Sequence, residues 1–148
     1  MLGTDTLTSN TELGNEEYLT SKNRDFHAKM QGDGNLVVYC DKCKGSKDIW
    51  ASDTSNKGTG PYKLRLQSDH SLVIYGKDSE ATWSSGPETQ RDKTRRRRST
   101  ANGGYLKIED DGNLVVYRDD NVAVWESASS GGKKSNNYGT GNWLSGQI

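Results

Sequence analysis

The chain has 148 residues, of which 30% are hydrophobic, and a mean hydropathy of −0.97. This length suits one domain, and no stretch approaches the eighteen apolar residues of a membrane-spanning helix, so we predict no membrane insertion. Twenty Lys and Arg balance twenty Asp and Glu, and there are only two cysteines, which argues against a generic polyanion binder and a disulfide-rich scaffold.

The first residues, from Met1 to Asp5, have neither a basic start nor an apolar run. No signal peptide is therefore predicted, and we expect a cytoplasmic or non-classically secreted protein. The low hydrophobic fraction would also allow a disordered chain, but four Trp and seven Tyr argue against disorder.

One unit of sequence occurs three times, at residues 30–39, 66–75 and 108–117. A tryptophan follows each copy, and a serine stands two residues beyond each tryptophan. These residues are Trp50, Trp83 and Trp125 with Ser52, Ser85 and Ser127.

Each copy is typical of a β-hairpin. Leu36-Val37-Val38-Tyr39 is β-branched and aromatic, and Asp33-Gly34 favours a turn. A three-residue loop at 32–34 places the aliphatic side chains on one face and the polar ones on the other, whereas a two-residue loop would mix the faces.

One such meander cannot bury its apolar face alone, but three facing inward can, with the tryptophans meeting in the middle. We therefore predict a single all-β domain over 1–148 with pseudo-threefold symmetry. Its units cover about 13–54, 60–86 and 103–128, with a basic insertion at 87–102 and a C-terminal strand region at 136–148. The predicted core is Met30, Leu36, Val38, Leu66, Leu72, Ile74, Ile108, Leu114 and Val116.

The outward face of each unit carries a repeated polar set. The first site is Gln31, Asp33, Asn35, Val37 and Tyr39; the second is Gln67, Asp69, Ser71, Val73 and Tyr75; the third is Glu109, Asp111, Asn113, Val115 and Tyr117. Planar donors and acceptors around a small apolar patch suit a hydroxyl-rich ligand such as a sugar. The alternative is that Asp and Asn only shape the turn. No nucleophile–base pair recurs, because His27 and His70 are unrelated by the repeat, so we predict no enzyme.

The first site resembles the mannose-binding motif of the monocot (bulb-type) lectin family, and residues 18–39 look more like members from fish mucus and amoebae. The resemblance covers roughly 13–128 and implies a β-prism II fold, with three four-stranded antiparallel sheets around a tryptophan-lined axis. It also implies calcium-independent recognition of α-mannose, with no cofactor or metal. In such lectins the Asp and Asn hold the axial 2-hydroxyl, the Gln and Tyr reach the 3- and 4-hydroxyls, and the Val contacts the carbon face.

Two sites depart from the motif. Ser71 replaces the asparagine of the second site and loses an amide donor, and Glu109 replaces the glutamine of the third site and can only accept. We expect the first site to be the strongest and the other two to be weaker or altered in preference.

Cys40 and Cys43 leave several interpretations open: a redox pair, half of a zinc site with His27, a local disulfide or two reduced thiols. Residues 91–98 hold six basic residues and one acidic one, leaving fourteen basic against nineteen acidic residues elsewhere. This segment is interpreted as a solvated loop, with a nuclear-import or polyanion patch, a processing site or a kinase site at Ser99 as alternatives. No nucleic acid is expected as a partner.

Asn142-Trp143-Leu144 lies outside the three units. It either completes a sheet of its own chain or exchanges with a second copy, as the C-terminal strand often does in this family, and on that resemblance we predict a homodimer. The leading functional hypothesis is a lectin with up to three sites that binds mannose-containing glycans and agglutinates microbes in defence. The alternative is a protein-interaction module on the same fold with little or no sugar binding.

Overall fold

The computed structural model describes residues 4–45, 47–86 and 104–144, and these form thirteen strands in three antiparallel sheets. The strands are β1 (Thr6–Thr8), β2 (Glu12–Leu13), β3 (Tyr18–Thr20), β4 (Phe26–Met30), β5 (Leu36–Cys40), β6 (Lys47–Ala51), β7 (Lys63–Leu66), β8 (Leu72–Tyr75), β9 (Ala81–Ser84), β10 (Tyr105–Ile108), β11 (Leu114–Tyr117), β12 (Ala123–Glu126) and β13 (Asn142–Trp143). The first sheet has the order β3-β4-β5-β6, the second β2-β7-β8-β9 and the third β1-β10-β11-β12-β13.

The all-β class and the three sheets confirm the sequence prediction. Within the described ranges the helices are two 3-10 turns, Lys77–Ser79 and Ser130–Gly132, and no helix is long and apolar enough to cross a membrane. The basic segment 91–98 and Ser99 lie outside the described residues, so their interpretations stay predictions.

The hairpin register is the one that a three-residue loop requires. Met30 lies opposite Leu36, and the pair is repeated by Leu66 with Leu72 and by Ile108 with Leu114. All nine predicted core residues have 0% exposure. The alternation of apolar and polar residues therefore predicted both the strand pairing and the buried face of each hairpin correctly.

The N-terminal segment contributes one strand to every sheet, which the repeat did not predict. β1 pairs with β10, β2 with β7 and β3 with β4. Each of these short strands buries one leucine, Leu7, Leu13 or Leu19, at no more than 3% exposure. Burial of each leucine contributes about 1.5–3 kcal/mol, which offsets part of the cost of ordering two- and three-residue strands. The first predicted unit therefore begins with Leu13, a residue of the second sheet.

The three repeated tryptophans meet on the pseudo-threefold axis, as predicted. Their rings pack edge to face, with centroids 5.6 to 6.4 Å apart. Their indole N–H groups donate to backbone carbonyls of the C-terminal segment: Trp50 to Asn137 at 2.9 Å, Trp83 to Gly139 at 2.8 Å and Trp125 to Thr140 at 3.2 Å. This segment thereby satisfies all three indole donors, and β13 near its end pairs with β12 of the same chain.

The tips of the hairpins pack against the neighbouring unit through a glycine–aromatic pair. A Cβ on Gly34 would lie 2.8 Å from the Tyr62 ring, and one on Gly112 would lie 2.7 Å from the Phe26 ring. In the second hairpin the pair is inverted, because His70 occupies the tip and Gly104 stands where the other units have the aromatic ring. The inversion preserves the contact, at the cost of a positive φ of 69° at His70.

Candidate functional site

The three predicted sites are built on the same turn. In the first, Gln31 N–H donates to Asn35 O at 3.0 Å, and Asn35 N–H donates to Asp33 Oδ1 at 3.0 Å. The Asp-to-backbone bond recurs at 2.9 Å in both the second site and the third. The turn thus fixes the aspartate in all three sites, whether its tip residue is glycine or histidine.

Each site also contains a hydrogen bond between its first and last residues, but the donor differs. The Gln31 amide donates to the Tyr39 hydroxyl. The Tyr75 hydroxyl donates to Gln67 Oε1 at 2.5 Å, and the Tyr117 hydroxyl donates to a Glu109 carboxylate oxygen. Only in the first site does the phenol keep its own proton for a ligand.

The hydrogen bond from Tyr117 to Glu109 changes the acidity of the Tyr117 phenol in the third site. Burial raises the pKa of the Tyr117 phenol well above its ordinary value of 10.0, and the hydrogen bond and negative charge of Glu109 raise it further. The Tyr117 proton is therefore held on the phenol and directed at Glu109.

Aspartate carboxylates are also held by the segment that follows the fourth strand of their sheet. Ser55 Oγ–H donates to Asp33 Oδ2 at 3.1 Å, and Ser130 Oγ–H donates to Asp111 Oδ2 at 2.9 Å. The corresponding position after β9, residue 88, lies outside the described residues. The first and third aspartates are thus fixed at both oxygens, yet their side chains remain exposed.

The serine two residues beyond each tryptophan explains the repeated pattern Trp-x-Ser. The Ser52 hydroxyl accepts from Leu36 N–H at 2.9 Å and donates to Asn35 Oδ1 at 3.1 Å. Ser127 makes the same two bonds in the third sheet, at 3.0 and 3.1 Å. In these two sheets the serine fixes one half of the site asparagine, and a backbone N–H adds a second donor to the same oxygen.

The other half of the asparagine distinguishes the sites. Asn35 Nδ2 has no hydrogen-bond partner within 4–45, 47–86 and 104–144, whereas Asn113 Nδ2 donates to Glu126 Oε1 at 2.7 Å. In the second site the Ser71 and Ser84 hydroxyls share a hydrogen bond of 3.1 Å. The residue that can bind the side chain at the asparagine position is the one directly after each tryptophan. Sequence reasoning missed this position, although Ala51, Ser84 and Glu126 could have been compared across the repeat.

The valines lie on the site face but are almost buried, with 3% exposure at Val37 and Val115 and 5% at Val73. Each lies between two neighbouring strands, so the small apolar patch predicted for each site exposes only a narrow edge of the valine side chain. A cation stands opposite each valine, and an acid from the N-terminal segment holds it. The pairs are Lys29 with Glu16 at 2.9 Å, Arg65 with Glu12 at 3.2 Å and Lys107 with Asp5 at 4.0 Å. The hydrogen bonds from Lys29 and from the Gly32 N–H lower the pKa of Glu16.

The site tyrosines are backed by an aromatic ring in two of the three sheets. His27 stacks on Tyr39 with centroids 5.0 Å apart, and its Nδ1 lies 2.7 Å from Asp41 Oδ2. Tyr105 stacks on Tyr117 at 5.0 Å, while Lys63 lies opposite Tyr75. A β-bulge precedes each tyrosine at the same point of the ladder and sets its direction from the sheet.

Cys40 and Cys43 form a disulfide directly after Tyr39, which is the local pairing among the interpretations left open. Their sulfurs are therefore not available as thiolate ligands to zinc. Among the described residues no group of three or more His, Cys, Asp or Glu side chains could hold a metal ion.

Comparisons with known proteins match this geometry. The chain is 38% identical over 77 residues to the B-type lectin plumieribetin of Scorpaena plumieri, covering 52% of the chain and 62% of that protein. It is 40% identical over 88 residues to mannose-specific lectin 1 of Colocasia esculenta, covering 60% of the chain and 29% of that protein. No family model matches the chain.

Solved structures agree in fold. The monomeric monocot mannose-binding lectins of Gastrodia elata match with a TM-score of 0.68 and 29% identity, over 86% of this chain and 99% of that one. Native tarin lectin matches with a TM-score of 0.58 and 30% identity, over 78% of this chain and 88% of that one. The snowdrop agglutinin complexed with methyl-α-D-mannoside matches with a TM-score of 0.59 and 26% identity, over 76% and 88%.

The chain belongs to the bulb-type lectin family. Its fold is the β-prism II of the monocot mannose-binding lectins, and the family is not enzymatic. The third sheet departs from the expected four strands, because β13 adds a fifth. The alignments cover less than two thirds of the curated bulb-type lectins' own length, at 62% of the Scorpaena protein and 29% of the Colocasia one.

Proposed function

We propose that this chain is a calcium-independent lectin that binds mannose-type glycans, with the first site as its principal site. One observation carries the proposal: Asn35 Nδ2 has no partner among the described residues, while its Oδ1 is anchored by Ser52 Oγ–H and Thr54 N–H, each at 3.1 Å. A donor that is fixed in direction but not used within the site is what a ligand hydroxyl requires.

The chemistry of the first site suits a sugar hydroxyl that donates and accepts at once. The axial 2-hydroxyl of mannose donates to the Asp33 carboxylate and accepts from Asn35 Nδ2. The linked Gln31 and Tyr39 side chains offer an amide and a phenol to the neighbouring hydroxyls, and the narrow edge of Val37 meets the carbon face. These contacts are direct, so the proposed binding uses no cation.

Up to three sites are proposed on one chain, and the second and third are proposed to bind more weakly than the first. Ser71 lacks the amide and shares its hydroxyl with Ser84. One N–H of the Asn113 amide is donated to Glu126, and the Tyr117 hydroxyl is donated to Glu109. A single pocket of this class typically binds with a millimolar Kd, about −4 kcal/mol.

The experiment is retention of the purified chain on mannan resin, with release by free mannose and with chelator present. We expect retention that mannose reverses and that chelator does not change. The Asn35→Asp variant keeps the oxygen that Ser52 and Thr54 bind but replaces the free donor with an acceptor. Its affinity for methyl-α-D-mannoside should fall at least about tenfold, or about 1.4 kcal/mol, by calorimetry.

Asp119→Ala is the matched control, because this exposed aspartate lies in the turn between β11 and β12. It should bind as the wild type does. Unchanged affinity in Asn35→Asp, or release from the resin by chelator alone, would contradict the proposed function.

We also propose that two copies associate through exchange of β13, which would place several sites on one particle and favour agglutination of microbes. An exchanged strand makes the same contacts with a partner as it makes within one chain, namely Trp143 beside Trp125 and Asn142 beside Glu126. Light scattering checks this, and a monomer at all concentrations would remove the proposal.

A protein-interaction module on the same prism is the second candidate. It is favoured by one observation, that in two of the three sites the side chain at the asparagine position is already hydrogen-bonded to the residue that follows the tryptophan. Failure of the chain to bind any mannose glycan in the resin experiment would support this candidate.

A further inference from the structure

One position on β6, β9 and β12, the fourth strand of each sheet, faces the binding turn and differs among the three units. Ala51 lies opposite Val37, Ser84 opposite Val73 and Glu126 opposite Val115. Because the register is the same in all three sheets, these side chains stand at the same place relative to their sites. The same position beside the site therefore carries an apolar side chain in the first sheet, a hydroxyl in the second and a carboxylate in the third.

In the third site the carboxylate completes an internal set of bonds on Asn113. Its Oδ1 accepts from Ser127 Oγ–H at 3.1 Å and from Ser129 N–H at 3.2 Å, and its Nδ2 donates to Glu126 Oε1 at 2.7 Å. Asn113 is accordingly 7% exposed. Asn35 makes the first two of these bonds and not the third, and it is only half-buried.

The phenol of the third site is occupied in the same way, because Tyr117 Oη–H donates to Glu109. One N–H of the Asn113 amide remains, on a side chain that is 7% exposed, and the other ligand-facing groups are the oxygens of Glu109, Asp111 and Glu126, which in their ionised form only accept. A sugar hydroxyl could therefore donate to this site, but to accept from the Asn113 N–H that binds Glu126 it would have to displace a charge-assisted hydrogen bond.

We infer that Glu126 is the residue that determines whether the third site accepts a hexose, because it occupies the Asn113 amide in place of a sugar hydroxyl. The inference rests on the proposed mannose binding of the first site and deepens it. Glu109 reinforces the closure through Tyr117. In the second site Ser84 acts in the same sense on Ser71 but without a charge.

The test uses the full chain labelled with nitrogen-15 and titrated with methyl-α-D-mannoside. The backbone and side-chain amide resonances of Asn35 report the first site, and those of Asn113 report the third. In the wild type we expect Asn35 to shift with a millimolar Kd and Asn113 to stay unchanged. In the Glu126→Ala, Glu109→Gln double variant Asn113 should also titrate, with a Kd at least tenfold below the weakest binding detectable in the wild type.

Glu126→Gln separates occupation from charge. Its Oε1 still accepts from Asn113, so the third site should stay closed although the carboxylate is gone. Glu80→Ala is the control for a glutamate lost from an exposed turn and should leave both reporters as in the wild type. The same spectra show whether each variant is folded.

Two outcomes overturn the inference. One is titration of Asn113 in the wild type with a millimolar Kd; the other is an Asn113 that does not respond in a folded double variant. Neither depends on Asn35, whose failure to shift would instead overturn the proposed function of the first site.

Discussion

The first and third sites share a backbone and differ in what surrounds one amide. Both have the same turn, the same Asp-to-backbone bond and the same serine below the asparagine. They differ at Ala51 and Glu126, which lie on a different strand from the motif residues. The comparison teaches that the shared Asp, Asn, Val and Tyr of one hairpin do not by themselves define an open site, because a residue of the neighbouring strand also binds the asparagine amide.

The largest expected effect tests whether the two turns are equivalent as scaffolds. Gly34→Ala and Gly112→Ala each place a Cβ within 3 Å of an aromatic ring, at positive φ values of 94° and 93°. Each should lower the free energy of unfolding by about 2–3 kcal/mol, measured by denaturant titration.

The matched control is Gly45→Ala, which has a φ of 82° and open space around the added methyl group. It should cost about 1 kcal/mol, which is the backbone part alone. A large difference between the Gly34 and Gly112 variants would show that the turns are not equivalent supports.

The next largest effect is expected when the residue that distinguishes the third site is placed in the first site. Ala51→Glu installs in the first sheet the residue that the third sheet carries, and its carboxylate should reach Asn35 Nδ2. Affinity for methyl-α-D-mannoside should then fall about tenfold, or about 1.4 kcal/mol, by calorimetry.

Ala51 is 4% exposed, so a smaller variant accompanies the glutamate. Ala51→Ser imitates the second sheet and should weaken binding by a smaller factor with little change in stability. Ala81→Glu, on an exposed position of β9, is the control for added charge. Unchanged affinity in a folded Ala51→Glu protein would contradict the claim that this position distinguishes the first site from the third.

The smallest expected effect is the change in stability with pH that comes from the ion pair of Lys29 and Glu16 beside the first site. Lys29 and the Gly32 N–H lower the pKa of Glu16, so the folded chain binds fewer protons there than the unfolded chain does. The stability from this pair is present above pH 4.5, the ordinary value for glutamate, and is lost as the pH falls through the lower folded pKa.

Thermal unfolding of the wild type and of Glu16→Gln should differ slightly at about pH 7, because the carboxylate is largely exposed. The difference should shrink as the pH is lowered below 4.5. Glu80→Gln provides the control for an exposed turn glutamate. A difference that does not shrink as the pH falls would mean that Glu16 acts through packing rather than charge.

The sequence was sufficient to predict whatever the repeat encodes locally. The spacing of Met30 and Leu36 set the loop length, and the loop length set the faces of the hairpin. The three tryptophans could be placed together because three apolar faces have to be buried at once.

What could not be predicted depends on contacts between distant segments. Glu126 could not be assigned to Asn113 without the register of β12, which contains a bulge. The acceptors for the tryptophan N–H groups are backbone carbonyls of a segment with no repeated side-chain pattern. The six-residue spacing of Leu7, Leu13 and Leu19 is visible in the sequence, but it gains meaning only when each leucine is seen in a different sheet.

The sharing of the N-terminal segment among the sheets has a consequence for the order of folding. Thr6 lies opposite Lys107, so the third sheet lacks its outer strand until the chain has been synthesised beyond β10. Pairings this distant in sequence raise the contact order, and all-β domains of this kind fold in about milliseconds to seconds. The segment 6–20 is therefore synthesised before the strands that it pairs with, and a substitution there would affect all three sheets.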